Sequence, residues 1–338
     1  MTTQLSIGIL GTGFAGVHAE RLAKLDDVKI TAVWGRTLAK AHAFNEKFGL
    51  TAAAFDDFDA MLAQAKFDAL YVCLPPHAHH GQVEKAAERG IHLFLEKPIA
   101  YDVARAESQA AAIEKAGVVS LVGYLSRYRQ SVEAFKGLID SGAAGQPTQF
   151  QGRYWTNMLG PDWWRRFDSS HGQVFEQVIH VYDMALHLLG EPESACAFAD
   201  NLVHRHIADY TIEDTSAAII RFKNGAIASI VGSNSAMPRH YLADFRAVCE
   251  RAALDYHSTG QEWVTPPSAT LYRYEGEQVT SNEFVETRDP YLAETLEFLA
   301  AIRGQAAPRA PVQAGVMGVR LVSAVLESAA HNGQPIRI

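Results

Sequence analysis

The stretch LSIGILGTGFAGVHAERLAKL, residues 5–25, sets three glycines between an apolar run and an amphipathic one. Gly11, Gly13 and Gly16 form a GxGxxG triplet that follows a predicted strand and opens a predicted helix, the context in which this spacing reads as a dinucleotide fingerprint. Each glycine has its own physical task. Gly11 permits the tight turn, Gly13 lets the backbone approach a pyrophosphate, and Gly16 lets the helix pack closely. Phe14 lies inside the same turn, and the free N–H groups of the helix start point at the phosphates. A glycine turn without a ligand carries the same triplet; the strand–turn–helix setting favours nucleotide binding.

The next hundred residues repeat that alternation. LSIGIL, KITAVW, ALYVCL, HLFLEK and VVSLVG hardly alternate in polarity, which predicts strands buried on both faces. VHAERLAKL, LAKAHAFNEKFG and HHGQVEKAAERG are helix-like, the last two ending at Gly49 and Gly90. Strand and helix in turn predict an α/β Rossmann domain, a doubly wound parallel sheet over residues 1–123. From 124 to 338 the pattern changes to α+β with a mostly antiparallel sheet. There, TSAAIIRFKNGAIASIVGSN reads as a hairpin around Asn224-Gly225.

Composition narrows the function. The chain has 338 residues, 30 basic and 38 acidic side chains, a formal charge of −8 and no basic tract. Nucleic acid and anionic membrane surfaces are therefore not the expected partners. Cys73, Cys196 and Cys249 form no CxxC, so neither a disulfide framework nor a zinc knuckle is expected. The N-terminus lacks a secretion signal and no apolar run reads as long enough to span a bilayer, giving the expectation of a cytoplasmic protein.

A second feature needs explanation. In GQVFEQVIHVYDMALHLLG, residues 172–190, Glu176, His180, Asp183 and His187 interrupt an otherwise apolar helix. On an ideal α-helix the four fall within roughly 60° of one another. Buried ionised groups need a partner or a wet cavity, and a substrate pocket is one such cavity. Metal ligation is the competing reading, but the spacing is not HExxH and no further ligand cluster is evident, so no metal is expected.

The second strand ends AVWGRT, where an NAD site usually places an acidic residue on the ribose 2′-hydroxyl. Gly35, Arg36 and Thr37 stand there instead. A guanidinium without a neighbouring carboxylate suits a 2′-phosphate, which predicts NADP(H) in preference to NAD(H). Alternatively, Arg36 stacks on the adenine and both cofactors bind. In doubly wound sheets ligands bind beyond the carboxyl ends of the strands. Leu74-Pro75-Pro76 and Glu96-Lys97-Pro98 are two such ends, so both are expected to edge the nicotinamide pocket.

GILGTGFAGVHAERL, CLPPHAHH, EKPIA and the Glu176–Asp183 helix together resemble the glucose–fructose oxidoreductase/inositol dehydrogenase (Gfo/Idh/MocA) family. GYLSRY, IEDTSAAIIRFKNGA and GVRLVSAVLESA add weaker matches across nearly the whole chain. The resemblance implies a catalytic Lys97, a cis peptide before Pro98 and His79 near the cofactor. It also implies a catalytic Asp-xxx-His helix, for which this chain has Glu176-Gln-Val-Ile-His180. His180 is then the general base, Lys97 a donor to the reacting oxygen, and Glu176 an orienting or substrate-binding carboxylate. Asp183 matches a family position and is expected to bind substrate or brace the helix, whereas His187 and His77 receive no role.

GRYWTNMLGPDWWRRF adds Trp155, Trp163, Trp164, Arg153, Arg165 and Arg166 just upstream of that helix. Aromatic faces suit sugar C–H surfaces and arginines suit carboxylates. The expected substrate-binding set is Lys97, Tyr124, Arg153, Trp163, Glu176, His180 and Asp183; the same segment reads equally as a dimer contact. The expected function is an oxidoreductase acting on a sugar, polyol or related cyclic alcohol or ketone, in a homodimer or homotetramer. A cofactor-binding sensor without turnover, and a glycosidase or epimerase using the nicotinamide transiently, remain open alternatives.

Overall fold

A computed structural model describes residues 4–262 and 264–338 and divides the chain into two units. The first comprises Met1–Leu125 and Asp289–Val316, the second Ser126–Arg288 and Met317–Ile338.

The first unit contains a six-stranded sheet of β1 (Leu5–Leu10), β2 (Val28–Trp34), β3 (Ala53–Phe55), β4 (Ala69–Val72), β5 (His92–Leu95) and β6 (Ser120–Val122). Every pairing is parallel and the order is β3-β2-β1-β4-β5-β6. The order reverses between β1 and β4, so the crevice beyond their carboxyl ends is where such a sheet binds a dinucleotide. Ile7, Ile9, Leu10 and the whole of β4 are buried, which explains why these strands do not alternate in polarity. The connecting helices are α1 (Ala15–Leu22), α2 (Leu38–Phe48), α3 (Phe58–Gln64), α4 (Gln82–Glu88) and α5 (Val103–Ala116). Side chains of Thr37, Asp57 and Asp102 cap α2, α3 and α5, each accepting a backbone N–H three residues on.

The second unit begins with α6 (Gln130–Asp140) and is built on a nine-stranded sheet. Its strands are β7 (Pro147–Asn157), β8 (Pro192–Asp200), β9 (Thr215–Phe222), β10 (Ile227–Pro238), β11 (Tyr241–Cys249), β12 (Ala252–His257), β13 (Ser268–Glu275), β14 (Gln278–Val285) and β15 (Ile336–Arg337). The order is β14-β13-β12-β11-β7-β10-β9-β8-β15, and only β7–β10 pair in parallel. The β9–β10 turn forms at Asn224-Gly225, one residue longer than a two-residue hairpin. Phe222 N–H donates to the Ala226 carbonyl at 2.9 Å, so Lys223, Asn224 and Gly225 all lie in the loop. The Asn224 side chain accounts for the difference: its carbonyl accepts from Ala226 N–H and its amide reaches the Leu189 carbonyl.

Before β8 come a short helix, α7 (Phe167–Ser170), a π-helical turn (Val174–Val178) and α8 (Ile179–Leu189). α8 packs on one face of β7 and β11. At Gly152 a Cβ atom would stand 2.3 Å from the Val181 side chain, so glycine lets helix and sheet close on each other. Phe150, Gly152 and Thr156 share that covered face. Gln151, Arg153 and Trp155 alternate to the other face.

The chain does not stay in the second unit after residue 124. α9 (Pro290–Ile302), capped by Asp289, returns to the first unit. It packs on α1, where Arg21 pairs with Asp289 at 2.8 Å, and buries Phe298 against Tyr71 and Phe94. Beyond it, Val122 N–H donates to the Ala310 carbonyl at 2.7 Å. An amphipathic helix far along the sequence carries no local sign of which unit it covers, so a single cut at 123/124 misses this return. The last helix, α10 (Val312–Ala330), is long and apolar enough to cross a bilayer, contrary to the expectation that no run is. More than half of its apolar stretch is buried within the fold, including Val319, Leu321, Val322 and Val325, which accounts for its composition. All three cysteines are unpaired.

Candidate active site

In the first unit the glycine turn has the geometry that its spacing demands. Gly11 has φ +115°, and a Cβ there would lie 2.7 Å from the Cys73 carbonyl oxygen, so only glycine fits. At Gly13 nothing approaches within 4 Å, which leaves the backbone open to a ligand. At Gly16 a Cβ would meet the Phe48 ring at 2.8 Å, so this glycine lets α1 lie against the end of α2. Phe14 is exposed and its side chain makes no cap to α1, so no side chain at that position competes for the first N–H groups of the helix.

At the end of β2, a Cβ on Gly35 would stand 2.9 Å from the Ala41 nitrogen, so no acidic side chain fits at that position. Arg36 is exposed and has no ion-pair partner among the described residues. Thr37 spends its hydroxyl on capping α2. Leu74 and Pro75 follow β4 directly and are partly exposed.

His79 holds that loop. Its ring satisfies both neighbours when Nε2–H donates to the Leu74 carbonyl at 3.2 Å and Nδ1 accepts from the Gln109 amide at 3.3 Å. Burial lowers its pKa to about 4, against the opposing pull of the Leu74 carbonyl. His79 is therefore a neutral brace of the Leu74-Pro75 loop at physiological pH.

Glu96 and Lys97 divide two roles between neighbours. Glu96 is buried and accepts from His18 Nε2 at 2.7 Å and from the Lys97 backbone N–H at 3.2 Å. Gly123 lies against it, a Cβ there falling 3.0 Å from Glu96 Oε1. In the otherwise buried run Leu93–Tyr101, Lys97 alone keeps partial exposure. The peptide between Lys97 and Pro98 is cis, as the family resemblance implies. Glu294 of α9 completes a buried group with His18 and Glu96, their ligand-type atoms all within 4.8 Å. Burial, assisted by the Glu96 charge, pushes the Glu294 carboxyl well above the usual carboxylate range. The hydrogen bond between His18 and Glu96 already engages two of the donor atoms in this group. Tyr124, just past β6, is almost wholly buried.

In the second unit the ionisable stripe resolves into two kinds of residue. Between Gly172 and Leu189 every residue is buried except Glu176, His180 and His187. The stripe is thus the part of the segment that keeps solvent access. Asp183 is the exception and leaves the substrate-binding set. It is 1% exposed and both its oxygens are held by Arg127, Nε to Oδ2 at 3.0 Å and Nη2 to Oδ1 at 2.6 Å. Burial raises the Asp183 carboxyl from its usual range while Arg127 opposes that rise. Of the two roles expected for Asp183, bracing the helix is the one its contacts perform. Glu176 lies inside the π turn and His180 in the first turn of α8, so their relation departs from that of a straight α-helix.

Arg153 also leaves the set. It stands on the sheet face opposite the one that α8 covers, in a two-pronged pair with Asp244 (2.6 and 2.8 Å), and stacks over Trp155 at 4.2 Å. Period-two alternation along β7 decides this, because a residue one place along faces the other way. Arg165 is taken up by Asp209 and Asp162. Trp163 is partly exposed and packs against a cluster of Trp164, Tyr210 and Ile212.

Two residues with structural control of the site had no role assigned from sequence: Arg127 in GYLSRY and Glu213 in IEDTSAAIIRF. Arg127 is a charge among aromatic and apolar residues, the signal that marked the stripe, whereas Glu213 stands in the polar run Glu213-Asp214-Thr215-Ser216 and carries no such signal.

The parallel sheet, the glycine turn and the open loops at its strand ends define a dinucleotide-binding unit of the oxidoreductase type, joined to an α+β unit. Residues 5–124 match the oxidoreductase family, NAD-binding Rossmann fold, and residues 132–255 match the GFO/IDH/MocA C-terminal domain. The chain belongs to the Gfo/Idh/MocA oxidoreductase family. It is 28% identical to inositol 2-dehydrogenase of Rhizobium meliloti over 97% of both chains. It is 25% identical to D-xylose 1-dehydrogenase (NADP(+)) 2 of Haloferax volcanii, covering 96% of this chain and 97% of that one. Among solved structures, levoglucosan dehydrogenase in complex with NADH and levoglucosan superposes with a TM-score of 0.88 at 18% identity over 99% of each chain, a likeness of fold. The protein is an NAD(P)-dependent oxidoreductase whose relatives act on inositols and sugars.

Proposed function

We propose that this enzyme oxidises a secondary alcohol of a sugar, polyol or inositol, or reduces the corresponding ketone, and that it prefers NADP(H). The observation that carries the reading is the selective exposure of Lys97 in one buried segment and of Glu176 and His180 in another. These are the side chains on which the resemblance places the chemistry.

The glycine turn and the Leu74-Pro75 loop would hold the dinucleotide, with the Gly13 backbone open and the α1 N–H groups free of a side-chain cap at Phe14. When bound, that cofactor supplies the hydride acceptor or donor. His180 takes the substrate hydroxyl proton in the oxidative direction, since imidazole titrates near neutral pH. Lys97 donates a hydrogen bond to a substrate oxygen and stabilises charge growing on it. Glu176 orients the imidazole or binds an adjacent substrate hydroxyl. In reduction the proton moves the other way, from His180 or Lys97. Trp163, partly exposed, remains as a substrate contact in this reading, whereas Tyr124, at 1% exposure, leaves the set with Asp183. A homodimer or homotetramer is part of the proposal; Phe198, Ile219, Ile227 and Val231 are exposed on strands of the nine-stranded sheet and suit burial against a second copy.

Arg36 supports the cofactor preference by being exposed and uncommitted, next to a glycine that bars an acidic side chain. Arg36→Ala is expected to weaken NADPH binding by about 10- to 100-fold, the range of a charge-assisted hydrogen bond worth roughly 1.5–3 kcal/mol. NADH binding should change little. Fluorescence titration of both cofactors checks this, and equal losses for the two would remove the phosphate role.

A further inference from the structure

We infer that Glu213 is a positioning residue, whose carboxylate grips the backbone at the start of the Val174–Val178 turn and fixes where Glu176 and His180 stand. The inference rests on the catalytic reading of those two residues.

The geometry is specific. Glu213 Oε1 accepts from Val174 N–H at 2.7 Å, and the Gln173 backbone N–H also faces the carboxylate. The turn has no side-chain cap of its own. Gly172 has φ +101°, and a Cβ there would fall 2.2 Å from Glu213 Oε2. Both the backbone conformation and the space at 172 therefore require glycine for the carboxylate to reach its donors. A π turn is a rare departure from the α-helix that is frequent at functional sites, and here Glu213 takes up N–H groups at its start. Asp214, the next residue, does the same for another loop, accepting from Leu202, Val203 and His204 N–H. Two consecutive carboxylates thus anchor two loops, one of which carries the proposed chemistry.

The groups that face Glu213 are Asp214 beside it, Tyr182 of α8 and Tyr210 of the loop before β9. Burial raises the Glu213 pKa to about 7, against the backbone N–H groups that favour its charge. The grip therefore tightens as pH rises through neutrality, because the ionised carboxylate is the stronger acceptor. His180 must also lose its proton to act as base. Two groups then titrate in one limb, and log kcat for oxidation should rise more steeply than a single proton allows.

The test is the pH profile of kcat for wild type and for Glu213→Gln, which keeps an acceptor but cannot ionise. Glu213→Gln is expected to reduce kcat by about 10- to 100-fold at alkaline pH, the cost of misplacing a catalytic group. It should also flatten the acid limb to a one-proton slope and leave cofactor affinity unchanged. Gly172→Ala, which displaces the carboxylate from the other side, should give the same loss of kcat. If Glu213→Gln misfolds by circular dichroism, Glu213→Asp takes its place, and it should retain the steep limb with a reduced kcat. A wild-type kcat and limb in both Glu213→Gln and Gly172→Ala overturns the inference. His180→Ala is the separate control. If it keeps turnover, the catalytic reading fails; if it abolishes turnover while Glu213→Gln is normal, only the positioning role fails.

Discussion

Replacing Lys97 or His180 by alanine is expected to lower kcat by about 10²- to 10⁴-fold, the usual contribution of a positioned general acid or base or of a donor to a developing oxyanion. NADPH and NADH affinities should stay close to wild type, because the dinucleotide is held by the glycine turn and the loops after β2 and β4. At Lys97 the backbone is held by the preceding side chain. That neighbour, Glu96, which fixes the loop through His18 and the Lys97 backbone N–H, remains in position. Glu176→Asp, which restores the residue type that the resemblance implies there, should retain most of the activity. Steady-state kinetics beside cofactor titration separates the outcomes: a loss of kcat with intact cofactor binding fits the assigned roles, and a loss of both indicates a damaged fold.

The second large effect is on stability. Arg127→Ala or Asp183→Ala strands one buried charge, since the pair is nearly inaccessible and held by two hydrogen bonds. Breaking such a pair costs about 3–5 kcal/mol, whereas replacing both partners by apolar residues of similar volume is often neutral. The midpoint of thermal unfolding should fall by on the order of 10 °C for either single variant. The double variant Arg127→Met, Asp183→Leu should recover most of that loss. A single variant that melts with wild type would show that the pair does not brace α8.

Legibility in the sequence followed a physical rule. Strands buried on both faces show as unbroken apolar runs, so β1, β2, β4, β5 and β6 were readable, whereas β3, three residues at the sheet edge, was not. The glycine turn was readable because each glycine answers a local demand. Lys97, Glu176 and His180 stood out because charge amid apolar residues is conspicuous. What that charge does depends on a partner far along the chain. Asp183 and Glu176 look alike in sequence, and only Arg127, 56 residues upstream, makes one a brace. Arg153 looked available until the face of β7 and its Asp244 partner were known. The return of α9 was hidden for the same reason: a helix's own pattern states which side is apolar, not what covers it.

The most direct measurement is a nicotinamide absorbance titration, in which the purified protein with NADP⁺ or NAD⁺ is offered inositols, aldoses, glucosides and polyols in turn. The predicted result is stoichiometric formation of reduced nicotinamide with at least one of these alcohols, faster with NADP⁺, and abolished in both Lys97→Ala and His180→Ala. Tight cofactor binding with no reduction across the panel, or undiminished turnover in both variants, would contradict the assignment of these residues to hydride-transfer chemistry.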